Sequence, residues 1–153
     1  MNRISARFGV LPIFLALFVS LMAPFLVYMC VNSPAAGLLL PFLYLLFVIY
    51  FWVTEFRTRA HYVVIGENRI FLRNYFGLGS EKIFEYSDFD GFITSQQPGR
   101  LGNKDYIFLL KDEKRLVCIS QFYHGNYKAL KKRIEDKIQF LGEKEYDWGY
   151  EYK

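Results

Sequence analysis

From Phe8 to Thr54 the chain runs for 47 residues without an Asp, Glu, Lys or Arg, and beyond it apolar and polar positions alternate at short period. The uncharged stretch holds two apolar runs, Val10 to Val31 with 22 residues and Ala35 to Val53 with 19, separated by Asn32-Ser33-Pro34. A helix needs about 20 mainly apolar residues to cross a hydrocarbon layer about 30 Å thick. Both runs qualify, and the pattern predicts a two-helix transmembrane hairpin over residues 1–59, basic flanks included. Asn32, Ser33, Pro34 and Gly37 supply the reversal, because Pro and Gly end helices while Asn and Ser cap the next one. Pro12, Pro24 and Pro41 suggest kinks, which a lipid-embedded helix tolerates where neighbours satisfy the freed carbonyls.

Past Ala60 the period falls to two. His61 to Ile65 and Arg69 to Tyr75 are β-branched and aromatic runs around Gly66-Glu67-Asn68, a hairpin signal. Lys82 to Tyr86 and Phe92 to Ser95 predict two further strands, and Asp105 to Lys111 with Arg115 to Ser120 a second hairpin around Asp112-Glu113-Lys114. Gln96 to Lys104, with Pro98, Gly99 and Gly102, is the longest turn-like segment and is expected to be a mobile loop. The spacing then changes to three and four: Tyr127, Leu130, Ile134, Ile138 and Leu141 predict one amphipathic helix, capped by Asn126 and ended by Gly142. The expectation for residues 60–142 is an α+β domain, an antiparallel bent sheet of six strands with the C-terminal helix covering one open end. Residues 143–153 form a tail mixing acids with Tyr146, Trp148, Tyr150 and Tyr152.

Charge adds an orientation. Arg3 and Arg7 precede the first run, Arg57 and Arg59 follow the second, and the turn between is neutral, so the positive-inside rule puts both ends of the hairpin in the cytoplasm of a multi-pass cytoplasmic-membrane protein. A cleaved signal peptide is not expected, since its apolar region spans about 7–15 residues. From Ala60 onward there are 15 Lys and Arg against 14 Asp and Glu. The pI of about 9.0 therefore reports the hairpin's flanks, and no basic face for nucleic acid is expected. Cys30 and Cys118 lie in apolar surroundings without a partner at metal spacing and read as buried small hydrophobes.

No set of residues announces chemistry. His61 and His124 read as lone surface histidines outside any metal-ligand spacing. Gly77-Leu78-Gly79-Ser80 lacks the spacing and the Lys of a phosphate loop and reads as a turn. Asp88 and Asp90 suit turn chemistry. Neither an enzyme, a cofactor nor a metal is expected. A candidate anionic-lipid surface is clearer: Arg57 and Arg59 at the headgroups, Arg69 and Arg73 flanking Phe71 on one strand face, and Lys128, Lys131 and Lys132 on the helix. Juxtamembrane basic residues are worth about 1 kcal/mol each against an acidic leaflet.

Tyr62-Val63-Val64-Ile65 with Arg69-Ile70, the step Ile83-Phe84-Glu85-Tyr86-Ser87-Asp88-Phe89, and Tyr106 to Ser120 leading into the Tyr127-Leu130-Ile134 helix together resemble bacterial membrane proteins in which a two-helix transmembrane hairpin is followed by a pleckstrin-homology-like (PH-like) domain. The resemblance covers the order of elements over nearly the whole chain. It implies a seven-stranded bent sheet capped by a helix, the seventh strand lying in Phe76 to Ser80 or after Ser95, and it brings no catalytic motif. The dense basic motif with which eukaryotic relatives grip phosphoinositides is absent. The expected role is presentation of the domain at the membrane to a protein partner or to a second copy, with anionic-lipid sensing, or service as an accessory subunit of a transport or enzyme complex, as alternatives.

Overall fold

The computed structural model describes residues 3–32, 39–98 and 102–145. Two long apolar helices come first, α1 (Val10–Val31) and α2 (Leu39–Arg59), each long and apolar enough to cross a membrane. Large side chains such as Phe14, Leu21, Leu43 and Ile49 stand exposed along them, an apolar surface of a size that water disfavours. The helices meet through Ala16, Val19 and Val48, which are buried. Two hydrogen bonds tie them: Tyr44 Oη–H donates to the Val19 carbonyl at 3.0 Å and Trp52 Nε1–H to Ser20 Oγ at 3.1 Å. Close approach of small residues supplemented by a few polar bonds is how helices associate in lipid. Pro12 falls in the first turn of α1, where no intrahelical donor is missed, and Pro24 alone lies inside that helix. The expected reversal at Ser33, Pro34 and Gly37 lies outside the described residues.

Behind the helices two four-stranded sheets form, not one sheet of six or seven strands. The first has the order β1 (Ile4–Ser5), β2 (Tyr62–Ile65), β3 (Arg69–Arg73), β4 (Glu81–Glu85). The second contains β5 (Gly91–Gln97), β6 (Lys104–Lys111), β7 (Lys114–Ser120) and β8 (Phe140–Glu143), in the order β7-β6-β5-β8. A single helix, α3 (Tyr127–Glu135), precedes β8. Val63, Ile65, Ile70 and Leu72 from the first sheet meet Phe92, Ile107, Leu109 and Ile119 from the second, and Leu130, Ile134 and Ile138 complete this core. The Tyr86-Ser87-Asp88-Phe89 step is the corner between the sheets: Asp88 accepts from the Glu85 N–H at 2.8 Å, Tyr86 Oη–H donates to the Gly66 carbonyl at 2.7 Å, and Phe89 enters the core. The Glu85 N–H, with Lys111 beside it, holds the Asp88 carboxyl below the usual range.

Other sequence expectations need correction as well. The amphipathic helix stops at Glu135, and Phe140–Glu143 is extended and pairs in parallel with β5. Its spacing had looked helical through Leu141 because Ile138, held by a hydrogen bond to the Ile134 carbonyl at 2.8 Å, still faces the core. Gly91 opens β5, where a Cβ would collide with the Leu141 side chain and the Gln139 carbonyl. Gln97 pairs with Lys104, so the expected Gln96–Lys104 loop shrinks to residues 98–103, of which 99–101 lie outside the described residues. The aromatic tail from Tyr146 onward also lies outside them.

A further correction concerns the residues before α1, expected only as a basic flank. Ile4–Ser5 forms the edge strand beside β2, the Ala6 N–H donates to the Val63 carbonyl at 2.7 Å, the Gly9 N–H to Tyr123 at 2.9 Å, and the Gly125 N–H to Arg7 at 2.8 Å. Asn126 makes no cap bond to α3. Its side chain accepts from the Arg7 N–H at 2.9 Å and donates to the Ser5 carbonyl at 2.8 Å, so the amide that was to start a helix clamps the N-terminal segment.

Candidate functional site

Two surfaces use the charged and aromatic residues singled out by the sequence. The first is the junction where α2 runs into β2. Trp52–Phe56 makes one π turn, and the Thr54 and Thr58 hydroxyls donate back to the Tyr50 and Thr54 carbonyls at 2.6 and 2.7 Å, bonds that accompany a distorted turn. Phe56 is fully buried against Phe51, Trp52 and Phe76, with ring centroids 4.9 to 5.1 Å apart. Phe76 reaches this cluster because Tyr75 and Phe76 both hold positive φ, 53° and 56°, a conformation that costs bulky residues energy and persists only where packing imposes it.

The same junction carries a buried polar network. Arg59 Nη1 meets Glu55 Oε1 at 3.0 Å, and Tyr123 Oη–H donates to that oxygen at 2.9 Å. Burial, then the neighbouring Glu55 carboxylate, pushes the Tyr123 hydroxyl above the usual phenol range. His61 and His124 correct the surface expectation, being 6% and 1% exposed. His61 Nδ1 accepts from the Cys118 N–H at 3.0 Å while its Nε2–H donates to the Arg57 carbonyl at 3.0 Å. His124 Nε2 lies 2.8 Å from the His61 carbonyl, and its Nδ1 sits 3.1 Å from the Ser120 nitrogen and 3.0 Å from the Ser120 carbonyl oxygen. A carbonyl only accepts and an amide N–H only donates, so the His61 ring carries its proton on Nε2 and is neutral. Desolvation lowers His61 to about 4 and lowers His124 as well. The two rings stitch the end of α2 to β7 and to the turn after it. The signal available in the sequence was their company: Ala60 and Tyr62-Val63 around one, Phe122-Tyr123 before the other.

The second surface is the outer face of the first sheet. Cross-strand register sets Val64 opposite Phe71 and Phe71 opposite Ile83, a row flanked by Arg69 opposite Glu85 and Arg73 opposite Glu81. The arginines are paired: Arg69 Nη2 lies 3.2 Å from Glu85 Oε1 and Arg73 Nη2 lies 3.0 Å from Glu81 Oε2. Arg3 sits over the Phe71 ring, 5.9 Å from its centroid. Ile83 is 52% exposed on β4, which pairs only with β3 among the described strands.

The six candidate lipid-contact residues are thus dispersed. Arg57 is exposed on the last turn of α2, whereas Arg59, expected at the headgroups, faces inward because it lies one turn from Glu55. Arg69 and Arg73 stand on the outer sheet face with their charges matched. Lys128 and Lys132 are exposed on α3, beside a Lys131–Glu135 pair at 3.9 Å. Among the described residues no group of three or more His, Cys, Asp or Glu is placed to hold a metal ion. No family model, curated protein or solved structure matches the chain.

Proposed function

We propose that this is an integral membrane protein whose hairpin holds a PH-like domain against the cytoplasmic face, and that it works by docking a protein partner on the outer face of the first sheet. The observation that carries the reading is the row Val64–Phe71–Ile83 bracketed by the Arg69–Glu85 and Arg73–Glu81 pairs. An apolar centre within a charged rim suits a protein surface, and a rim whose charges already cancel offers little to an acidic leaflet. The open edge of β4 adds backbone donors and acceptors for strand addition.

Three features support the PH-like assignment: the corner at Tyr86–Phe89, the two sheets around one core, and the helix against them. For the topology, the support is that residues 4–9 are bonded into the same body as β2 and the 123–126 turn. The segments before α1 and after α2 therefore share one side, and the arginine distribution makes that side the cytoplasm.

A photo-reactive amino acid at Ile83 in the full chain, irradiated in native membranes, should trap one protein of defined mass. The same group at Lys128 should not. Equal trapping at both positions, or none at Ile83, would refute the docking face. Topology is tested separately with Cys30 and Cys118 replaced: a cysteine at Ser33 should react with an impermeant thiol reagent in intact cells, and one at Asn103 should not.

A further inference from the structure

β1, β4, β7 and β8 lie at the edges of the two described sheets, and three of those edges are cut short or covered. β1 has two residues, β8 is broken at Gly142 by a φ of 124°, and the His61 and His124 rings meet the Cys118 and Ser120 nitrogens along β7. β4, with five residues, stays open. Which of its backbone groups face outward follows from the register. The Ala6 N–H donates to the Val63 carbonyl, so Val63 bonds toward β1 and, by alternation, Tyr62 and Val64 bond toward β3. Carried across, Ile70 and Leu72 bond with Phe84 and Lys82, and Glu81, Ile83 and Glu85 turn their backbone groups to the open side. The Glu85 N–H agrees, since it donates to the Asp88 carboxylate and not to β3.

The side chains of the same three residues share the outer face, because Lys82 and Phe84 point the other way, Phe84 against the core. The edge therefore presents acid, apolar, acid. Arg69 and Arg73 stand one strand further in, and each takes one oxygen of its glutamate. The carboxylates are thus the outermost charges of this face along β4, exposed on either side of Ile83. Opposite charges set directly across a strand pair stabilise it and like charges destabilise it. A second copy paired antiparallel about Ile83 would set Glu81 against Glu85 twice, and an in-register parallel copy would set each glutamate against itself. The edge disfavours its own copy. What completes it is the pattern that β3 already offers from the inner side: cation, apolar, cation at alternate positions.

We infer that β4 receives an extended segment of the partner protein, running antiparallel, with Lys or Arg two residues to either side of an apolar residue seated opposite Ile83. The inference rests on the docking face proposed above and gives its partner a chemistry. Main-chain bonds to the edge hold the segment, and its basic side chains select the register.

The test titrates the full chain, in a neutral detergent, with a fluorescein-labelled, end-blocked peptide Thr-Lys-Thr-Val-Thr-Lys-Thr, read by anisotropy. Saturable binding is expected. Methylating the backbone nitrogen of the central Val, which faces Ile83, should abolish it, whereas methylating a Thr beside that Val, whose nitrogen faces away, should not. Glu81→Gln with Glu85→Gln should weaken binding about fivefold, and Arg69→Gln with Arg73→Gln should strengthen it, because the carboxylates then answer the peptide alone. Equal affinity for Thr-Glu-Thr-Val-Thr-Glu-Thr, binding that survives methylation at the central Val, or indifference to the glutamate change would overturn the inference. So would a photo-trapped product at Ile83 of twice the mass of the chain, which would mean self-pairing. A peptide that fails to bind while Ile83 still traps a protein in native membranes defeats the basic segment alone; loss of trapping at Ile83 defeats the docking face on which it rests.

Discussion

Arg59 and Arg73 each meet a glutamate at 3.0 Å, yet the two pairs sit in different surroundings. The Arg59 and Glu55 side chains are 4% and 16% exposed, those of Arg73 and Glu81 45% and 41%. The buried pair is further held by Tyr123 and lies against a shell of aromatic rings, so removing one partner takes from a buried charge a contact that water does not replace. The exposed pair exchanges protein contacts for water at little cost. Distance alone does not rank these bonds. At the junction polar groups specify how α2 enters the domain, whereas on the sheet face they neutralise a surface and leave its apolar centre available.

The sharpest way to break the contrast is to open the junction. Phe56→Ala should destabilise the full chain in detergent by about 3–5 kcal/mol, read as a fall in the denaturation midpoint; a change under about 1 kcal/mol would mean that the junction is not packed as described. Glu55→Ala, which removes a carboxylate from the buried Arg59 and deprives the Tyr123 hydroxyl of its acceptor, should cost about 3 kcal/mol. Phe56 and Glu55 together separate packing from charge, since only the second loss should ease when Arg59 is also replaced by Met.

Acidification probes the junction through His61. Its folded-state pKa lies near 4, below the ordinary 6.5, so the unfolded chain takes up the proton first. The histidine's contribution is complete above about pH 6.5 and drains away as the pH falls toward about 4, with His124 acting in the same direction. His61→Gln should flatten thermal stability measured between pH 7 and pH 5. An unaltered pH dependence would count against a neutral buried His61. The smallest effect belongs to the other side of the comparison: Arg73→Gln with Glu81→Gln should change stability by less than about 1 kcal/mol, while Ile83→Glu should abolish co-purification of the photo-trapped partner without moving the midpoint.

Long-range periodicity made much of the fold legible. The helices α1 and α2 follow from a run without charge, and β2 to β7 from alternation punctuated by Gly-Glu-Asn and Asp-Glu-Lys turns. β1 was hidden because two residues between arginines show no period, and their pairing with Val64 and Ile65 spans the whole hairpin. β8 was hidden by coincidence: Ile134, Ile138 and Leu141 keep helical spacing although the chain has already turned to run beside β5. At the candidate sites the residue types were visible but their partners were not. Arg69 and Arg73 stood out as a basic row, and only the register with β4 sets Glu85 and Glu81 against them. Arg59 stood beside Arg57 in sequence, while helical rotation sends it inward.

The clamp on residues 5–9 also sets an order of events during synthesis. Ser5, Arg7 and Gly9 leave the ribosome before either helix, while Val63, Tyr123, Gly125 and Asn126, to which this segment and the adjoining Ala6 are bonded, follow after both. Contacts over such separations close late, so the leading segment waits, unpaired, until both helices and the rest of the domain have been made. If the helices span a bilayer as proposed, a nascent chain whose two helices failed to return it to the starting side would never find those partners, and closure of the clamp would act as a built-in check that the hairpin was inserted as a pair.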